Sequence, residues 1–195
     1  MNLSVVVMAV EKRREWAEAL SQQLGGCPIA FDPHPRFNIG NIWENNVRAW
    51  RLQDRSKEWS LVIQDDAILC ENFLERAQEH LKRADELGAA VQFYVGNGEH
   101  FEEFKEHIEK GYYLRREMVW GVAIAVKTEW LDEMIRVGTS FRAWQDDIKI
   151  KHFLLKKNIP TYFPLPCLVD HRRMDENPSF ASPSDGDRYS PLFKK

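Results

Sequence analysis

Cysteine is scarce in this 195-residue chain and odd in number. Cys27, Cys70 and Cys167 stand far apart, which excludes a disulfide framework and a paired-cysteine zinc site. A reduced, cytoplasmic setting is the expectation. No apolar run approaches the roughly 20 residues a membrane helix needs. Residues 1–7 are rich in valine and lack the basic start and cleavage site of a signal peptide. Positive charge is not in excess either: the net charge is −3, so no global basic field draws the chain to nucleic acid. A phosphate-cradling glycine-rich loop is missing as well, since Gly96-Asn97-Gly98 is too short to serve alone. Internal repeats and linkers are absent. What is present is a chain with 44% hydrophobic residues, long enough to bury one core as a single domain.

Strand and helix patterns alternate along it. Residues 3–9 form a near-continuous Val-rich run, read as a buried first strand. Residues 14–24 carry Trp16, Ala17, Leu20 and Leu24 at helical spacing and stop at Gly25-Gly26. A short strand, Ile29–Phe31, is closed by Asp32-Pro33-His34-Pro35. Gly40 and Asn41 introduce a helix whose Trp43, Val47 and Trp50 make one apolar face, so both tryptophans are read as core. Asn72 and Glu75 suggest a capping box ahead of a helix with Phe73, Ala77, Leu81 and Ala84 inward. Residues 91–95 read as a strand, 100–110 as a charged surface helix or loop, and 119–126 as the most apolar strand. Thr128 is the expected cap of a helix over 130–136 that stops at Gly138, and 144–157 is a further helix. Residues 160–169 are extended. The expected architecture is α/β, Rossmann-like, with a mostly parallel central sheet flanked by helices.

The strongest chemical signal is Leu61-Val62-Ile63-Gln64-Asp65-Asp66, an apolar strand ending on two adjacent carboxylates. Ligands of α/β sheets sit beyond the carboxyl ends of the strands. Hard divalent ions combine carboxylates with substrate phosphates at such places. Two exposed turn or cap aspartates are the alternative. Further along, Gln145-Asp146-Asp147 opens a helix, where acids also serve the macrodipole. Asp170-His171-Arg172-Arg173 follows an apolar strand. There, an imidazole suits a metal and guanidinium groups suit phosphate, although a solvated basic cluster would read the same way. Trp120 and Trp144 flank these motifs, as sugar- or base-facing aromatics or as core.

The ordered set resembles the nucleotide-diphospho-sugar transferases of the GT-A fold. More narrowly, it looks like small bacterial and phage enzymes related to lipooligosaccharide glycosyltransferases. Gln64-Asp65-Asp66 is similar to the family's strand-end acidic motif, with Gln64 where many relatives carry an acid. Trp120-Gly121-Val122-Ala123 with Gln145-Asp146-Asp147 is similar to its acceptor-side strand and acidic helix start. Residues 166–171 are similar to its C-terminal strand bearing a metal-binding histidine. The resemblance spans residues 1–171 as a glycosyltransferase domain, leaving 172–195 as a polar tail or lid. It implies transfer of a sugar from a nucleoside-diphosphate donor to an acceptor hydroxyl. Mn²⁺ or Mg²⁺ would be held by Asp66, Asp65 and His171. Ala9, Val10, Arg14, Gln64, Asp65, Trp120 and Arg172 would lie at the nucleotide sugar. Asp147, then Asp146, is the implied base of an inverting reaction. The acceptor stays open among a surface glycan, a protein side chain and a modified base of phage DNA. The last would need a basic groove from Arg115, Arg116, Arg172 and Arg173. A metal-dependent nucleotidyl- or phosphotransferase, and a catalytically inactive nucleotide-sugar-binding module, are the other readings.

Overall fold

The computed structural model describes residues 2–33, 42–97, 101–172 and 189–195. Among these, nine strands and six helices follow in order: β1 Leu3–Ala9, α1 Arg14–Gln23, β2 Ile29–Phe31, α2 Ile42–Arg51, β3 Trp59–Gln64, β4 Ala67–Leu69, α3 Phe73–Glu86, β5 Ala90–Gln92, α4 Phe101–Lys105, β6 Tyr112–Arg115, β7 Ala123–Lys127, α5 Leu131–Ser140, α6 Asp146–Lys156, β8 Thr161–Pro164 and β9 Val169–His171. Seven strands make one sheet in the order β2-β1-β3-β7-β5-β8-β6, and β4 pairs with β9 beside it. β2, β1, β3, β5 and β8 share one direction, while β7 and β6 run against them. The fold is α/β and Rossmann-like, with helices on both faces.

The uninterrupted apolar run of β1 follows from that layering. Alternate side chains of a strand point to opposite faces. Val7 and Ala9 join α1 and α3 residues such as Ala17, Leu20, Ala77 and Leu81 in one core. Val6 and Met8 join Trp50, Met134, Ile150 and Phe153 from α2, α5 and α6 in the other. A strand buried on both sides has no place for polar alternation. A third, smaller cluster gathers Phe104, Phe163, Leu165, Cys167 and Leu192 at one end of the sheet.

Several local expectations change. Asn72 adopts a left-handed conformation (φ 52°) and its side chain caps nothing, so the capping box does not form, although α3 buries the four residues read from its spacing. Gly138 does not stop α5, which continues to Ser140. Its missing side chain instead admits the Trp43 indole, with which a Cβ there would collide. Thr128 opens a 3₁₀ turn, and its hydroxyl pairs with that of Ser60 at 2.8 Å rather than capping a helix. The charged stretch read over 100–110 holds a wholly buried Phe104 on α4. β4 and β6 are strands without a sequence expectation. Among the described residues no helix is long and apolar enough to cross a membrane.

Candidate active site

β1 and β3 lie side by side and parallel, so their carboxyl ends emerge together. β7 is antiparallel to β3, which brings its entry, Trp120 to Val122, to the same rim. Between them opens a cleft of about 580 Å³, walled also by Asp32, Asn45, Tyr94, Gly96 and the start of α6. Two groups of carboxylates face it.

Asp65 and Asp66 form the first. Both are 1% exposed. Burial of two adjacent acids is costly unless they are paired. The cation is Arg13, delivered by the 3₁₀ turn Glu11–Arg13 that leaves β1. Its Nη2 lies 2.6 Å from Asp65 Oδ1, and its Nη1 donates to Asp66 Oδ2 at 2.6 Å. The Val10 N–H donates to Asp65 Oδ2 at 2.9 Å. Burial pushes the Asp65 carboxyl up to about 7, against the pull of Arg13 and reinforced by the charge on Asp66.

His171 completes this group. β9 pairs with β4 and so lays His171 opposite Ala67, next to the acids. Its Nδ1 stands 2.7 Å from the Arg172 carbonyl oxygen. A carbonyl only accepts, so Nδ1 carries the hydrogen, and in the neutral ring Nε2 turns its lone pair to Asp66 Oδ2, 3.4 Å away. The Oδ2 it faces also accepts from Arg13 Nη1, so Asp66, His171 and Arg13 meet at one carboxylate oxygen. Two ligands each about 2.1 Å from one ion can span such a distance, so Asp66 and His171 fit a divalent metal. No set of three His, Cys, Asp or Glu side chains among the described residues is grouped to hold an ion. Mg²⁺-type sites combine one or two carboxylates with phosphate oxygens and water.

No family model and no curated protein sequence matches this chain. Solved structures do. A197 from STIV is 13% identical over 88% of this chain and 86% of its own, with a TM-score of 0.49. Mannose-1-phosphate geranyltransferase from Thermus thermophilus is 15% identical over 84% and 74%, with a TM-score of 0.37. Likenesses at this level carry no argument about chemistry, which rests on the site itself.

The second group is Asp146 and Asp147, at the first turn of α6. A helix turns about 100° per residue, which predicts that only one of two neighbours meets the cleft. Both line it. The turn packs close against Gly121: a Cβ there would lie 3.2 Å from the Cβ of Asp147, tighter than ordinary contact. Asp147 is half-buried; Asp146 is 6% exposed. Asp146 Oδ2 accepts from Asn46 Nδ2 at 2.8 Å, and its Oδ1 from the Asp147 N–H at 2.9 Å. Burial, then the charge of Asp147, pushes Asp146 up to about 7 against those two donors.

Of the residues expected at a nucleotide sugar, Ala9, Val10, Gln64, Asp65 and Trp120 line the cleft. Arg14 does not. It is exposed, paired with Glu11 and Glu18 and laid over Phe31, while Arg13 takes the cleft side of the turn. Arg172 is tied to the site by its backbone, whose N–H donates to the Asp66 carbonyl, and its guanidinium covers Trp16 at 4.7 Å. Trp144 is 70% exposed and outside the cleft lining. Arg115 pairs with Glu103, and Arg173 lies outside the described residues. Sequence reasoning missed Arg13, Asn45 and Asn46. The signal for Arg13 was available: two buried acids require a cation, and two arginines follow the neighbouring strand.

Proposed function

We propose that this cleft binds a nucleoside-diphosphate sugar and transfers the sugar to an acceptor hydroxyl. One observation carries the reading. A buried cluster of Asp65, Asp66, Arg13 and His171 at the ends of β1 and β3 faces, across a single cleft, a second carboxylate pair on α6. The first half suits a diphosphate and the second a nucleophile that must lose a proton.

The residues divide the work. Ala9, Val10 and Asp32 wall the side where the nucleoside would lie, with Asp65 oriented by Val10 toward a ribose hydroxyl. Asp66 and His171 would hold a divalent ion, which supplies Lewis-acid stabilisation of negative charge on the leaving diphosphate. Arg13 fixes both carboxylates and adds positive charge beside them. Asp147, the more open acid on the acceptor side, accepts the proton of the acceptor hydroxyl. As that oxygen bonds to the anomeric carbon, the carbon's bond to the β-phosphate oxygen breaks and the nucleoside diphosphate leaves. Asp146 stays beneath as a support. Attack from the face opposite the phosphate inverts the anomeric centre.

The test is a thermal-shift panel of UDP-, GDP-, CDP- and ADP-sugars, each with Mn²⁺ and with EDTA, on wild type and Asp66→Ala. A ligand of the native state at about 100 times its Kd stabilises by about 2.7 kcal/mol. The expected result is a metal-dependent rise with one nucleotide family, absent from the variant, followed by release of that nucleoside diphosphate when acceptor is added. No rise with any nucleotide sugar overturns the reading. Binding without any transfer or hydrolysis would instead mark an inert binding module.

A further inference from the structure

Asn46 has no role in the scheme so far, yet it is 2% exposed and both ends of its amide are engaged. Behind it stands Trp50, one helical turn on and wholly buried. An indole N–H can only donate. It donates to Asn46 Oδ1 at 2.5 Å, which leaves the amide one orientation, with Nδ2 pointing forward. Nδ2 donates to Asp146 Oδ2 at 2.8 Å, and Asp146 Oδ1 in turn receives the Asp147 N–H at 2.9 Å. Three hydrogen bonds thus run from the core under α2 to the backbone of the residue that faces the acceptor. We infer that Asn46, locked by Trp50, is a positioning residue that holds Asp146 ionisable and Asp147 in place as the base. The inference rests on the transferase reading of the cleft.

The direction of each donor matters. With the indole N–H removed, the amide is free to turn its oxygen toward Asp146, replacing a donor by a repelling acceptor. With the amide removed, a buried carboxylate loses a charge-assisted hydrogen bond, which disfavours its ionised form. Asp146 then stays protonated at higher pH, and its grip on the first turn of α6 changes. Among the described residues, the charged groups facing Asp146 are few. Asp147 is beside it, and Arg13, Asp32, Asp65, Asp66 and His171 line the same cleft. Lys149, a turn along α6, is spent on the carbonyls of Gly138 and Phe141. From α2 the group presented is the Asn46 amide.

The experiment pairs a substrate-free readout with kinetics. Carboxyl ¹³C titrations of aspartate-labelled protein are assigned with Asp146→Asn and Asp147→Asn, then repeated on Asn46→Ala and Trp50→Phe. Trp50→Phe keeps an aromatic in the core and removes the donor with a small loss of ring volume, so it serves if Asn46→Ala does not fold. In Asn46→Ala the Asp146 titration is expected to move to higher pH by about one pH unit, with a smaller step in the same direction for Trp50→Phe. Turnover at pH 7 should fall about tenfold or more, while the donor KM stays within about twofold. Recovery of rate toward higher pH is expected in both variants. A titration that stays in place in the folded variants, or an unchanged kcat, overturns the inference. Wild-type protein that transfers nothing overturns the transferase reading and the catalytic half of this one, even where the Asp146 titration moves.

Discussion

Asp146 is a carboxyl that the fold withholds from water, and its charge state couples stability to pH. Its pKa in the folded chain is pushed up to about 7, whereas the unfolded value is 3.8. Between those values the folded form keeps a proton that the unfolded form has released. Its contribution is therefore most favourable below about pH 4 and is lost as pH rises through about 7. A gap of this size corresponds to on the order of 4 kcal/mol. Asp146→Asn keeps the shape and removes the charge. Relative to wild type, it is expected to gain about 3 kcal/mol of stability between pH 4.5 and pH 8, because Asn has no proton to lose. Urea midpoints of wild type and variant at the two pH values measure this. The same substitution should slow transfer, since a group that costs stability and serves the site is where the two demands separate. An equal effect at both pH values would show that Asp146 is not titrating between them.

At the scale of elements, α3 shows both what sequence patterning reaches and where it stops. Phe73, Ala77, Leu81 and Ala84 lie at helical spacing, and all four are buried, because periodicity reports the face that meets the sheet. The capping box failed at Asn72 because the backbone there turns left-handed, a choice set by the path from β4 and invisible in composition. His80 lies on the same helix, half-buried, with Nδ1 2.9 Å from the Tyr162 hydroxyl on β8. Burial, and then Arg76 and Arg83, push it down to about 4. The unfolded chain takes up a proton near pH 6.5 that the folded chain refuses. The contribution of His80 is thus fully present above pH 6.5 and is lost as pH falls toward 4. Allowing for its partial exposure, the loss is about 2 kcal/mol. His80→Gln should retain stability between pH 7.5 and 4.5 that wild type gives up, read as a difference of differences in urea unfolding. Parallel acid curves for the two proteins would rule His80 out as a source of acid sensitivity.

For the molecule as a whole, the site is assembled from segments that sequence distance keeps apart. Asp65 and Asp66 were legible because a buried strand ending on acids is a local pattern. Arg13 rather than Arg14, and Asn46 behind Asp146, depend on which side of a turn or helix meets a distant partner. The chain end is the same kind of case. Its composition reads as a polar tail, and residues 173–188 lie outside the described residues. The last seven residues nevertheless return to the body. The Ser190 N–H donates to Asp170 Oδ1 at 2.6 Å, the Ser190 hydroxyl meets Cys167 Sγ at 2.7 Å, and Phe193 bridges to Cys167. Leu192, 8% exposed, packs with Val95, Phe104, Phe163 and Leu165. Asp170 adjoins His171, so this return braces the strand that carries a ligand of the proposed ion. Leu192→Ala should cost about 2–3 kcal/mol in urea unfolding, as a buried leucine does. It should also weaken the Mn²⁺-dependent part of the nucleotide-sugar thermal shift more than the metal-free part. A passive tail would give neither effect: a variant as stable as wild type would mean that the third core cluster closes without the chain end.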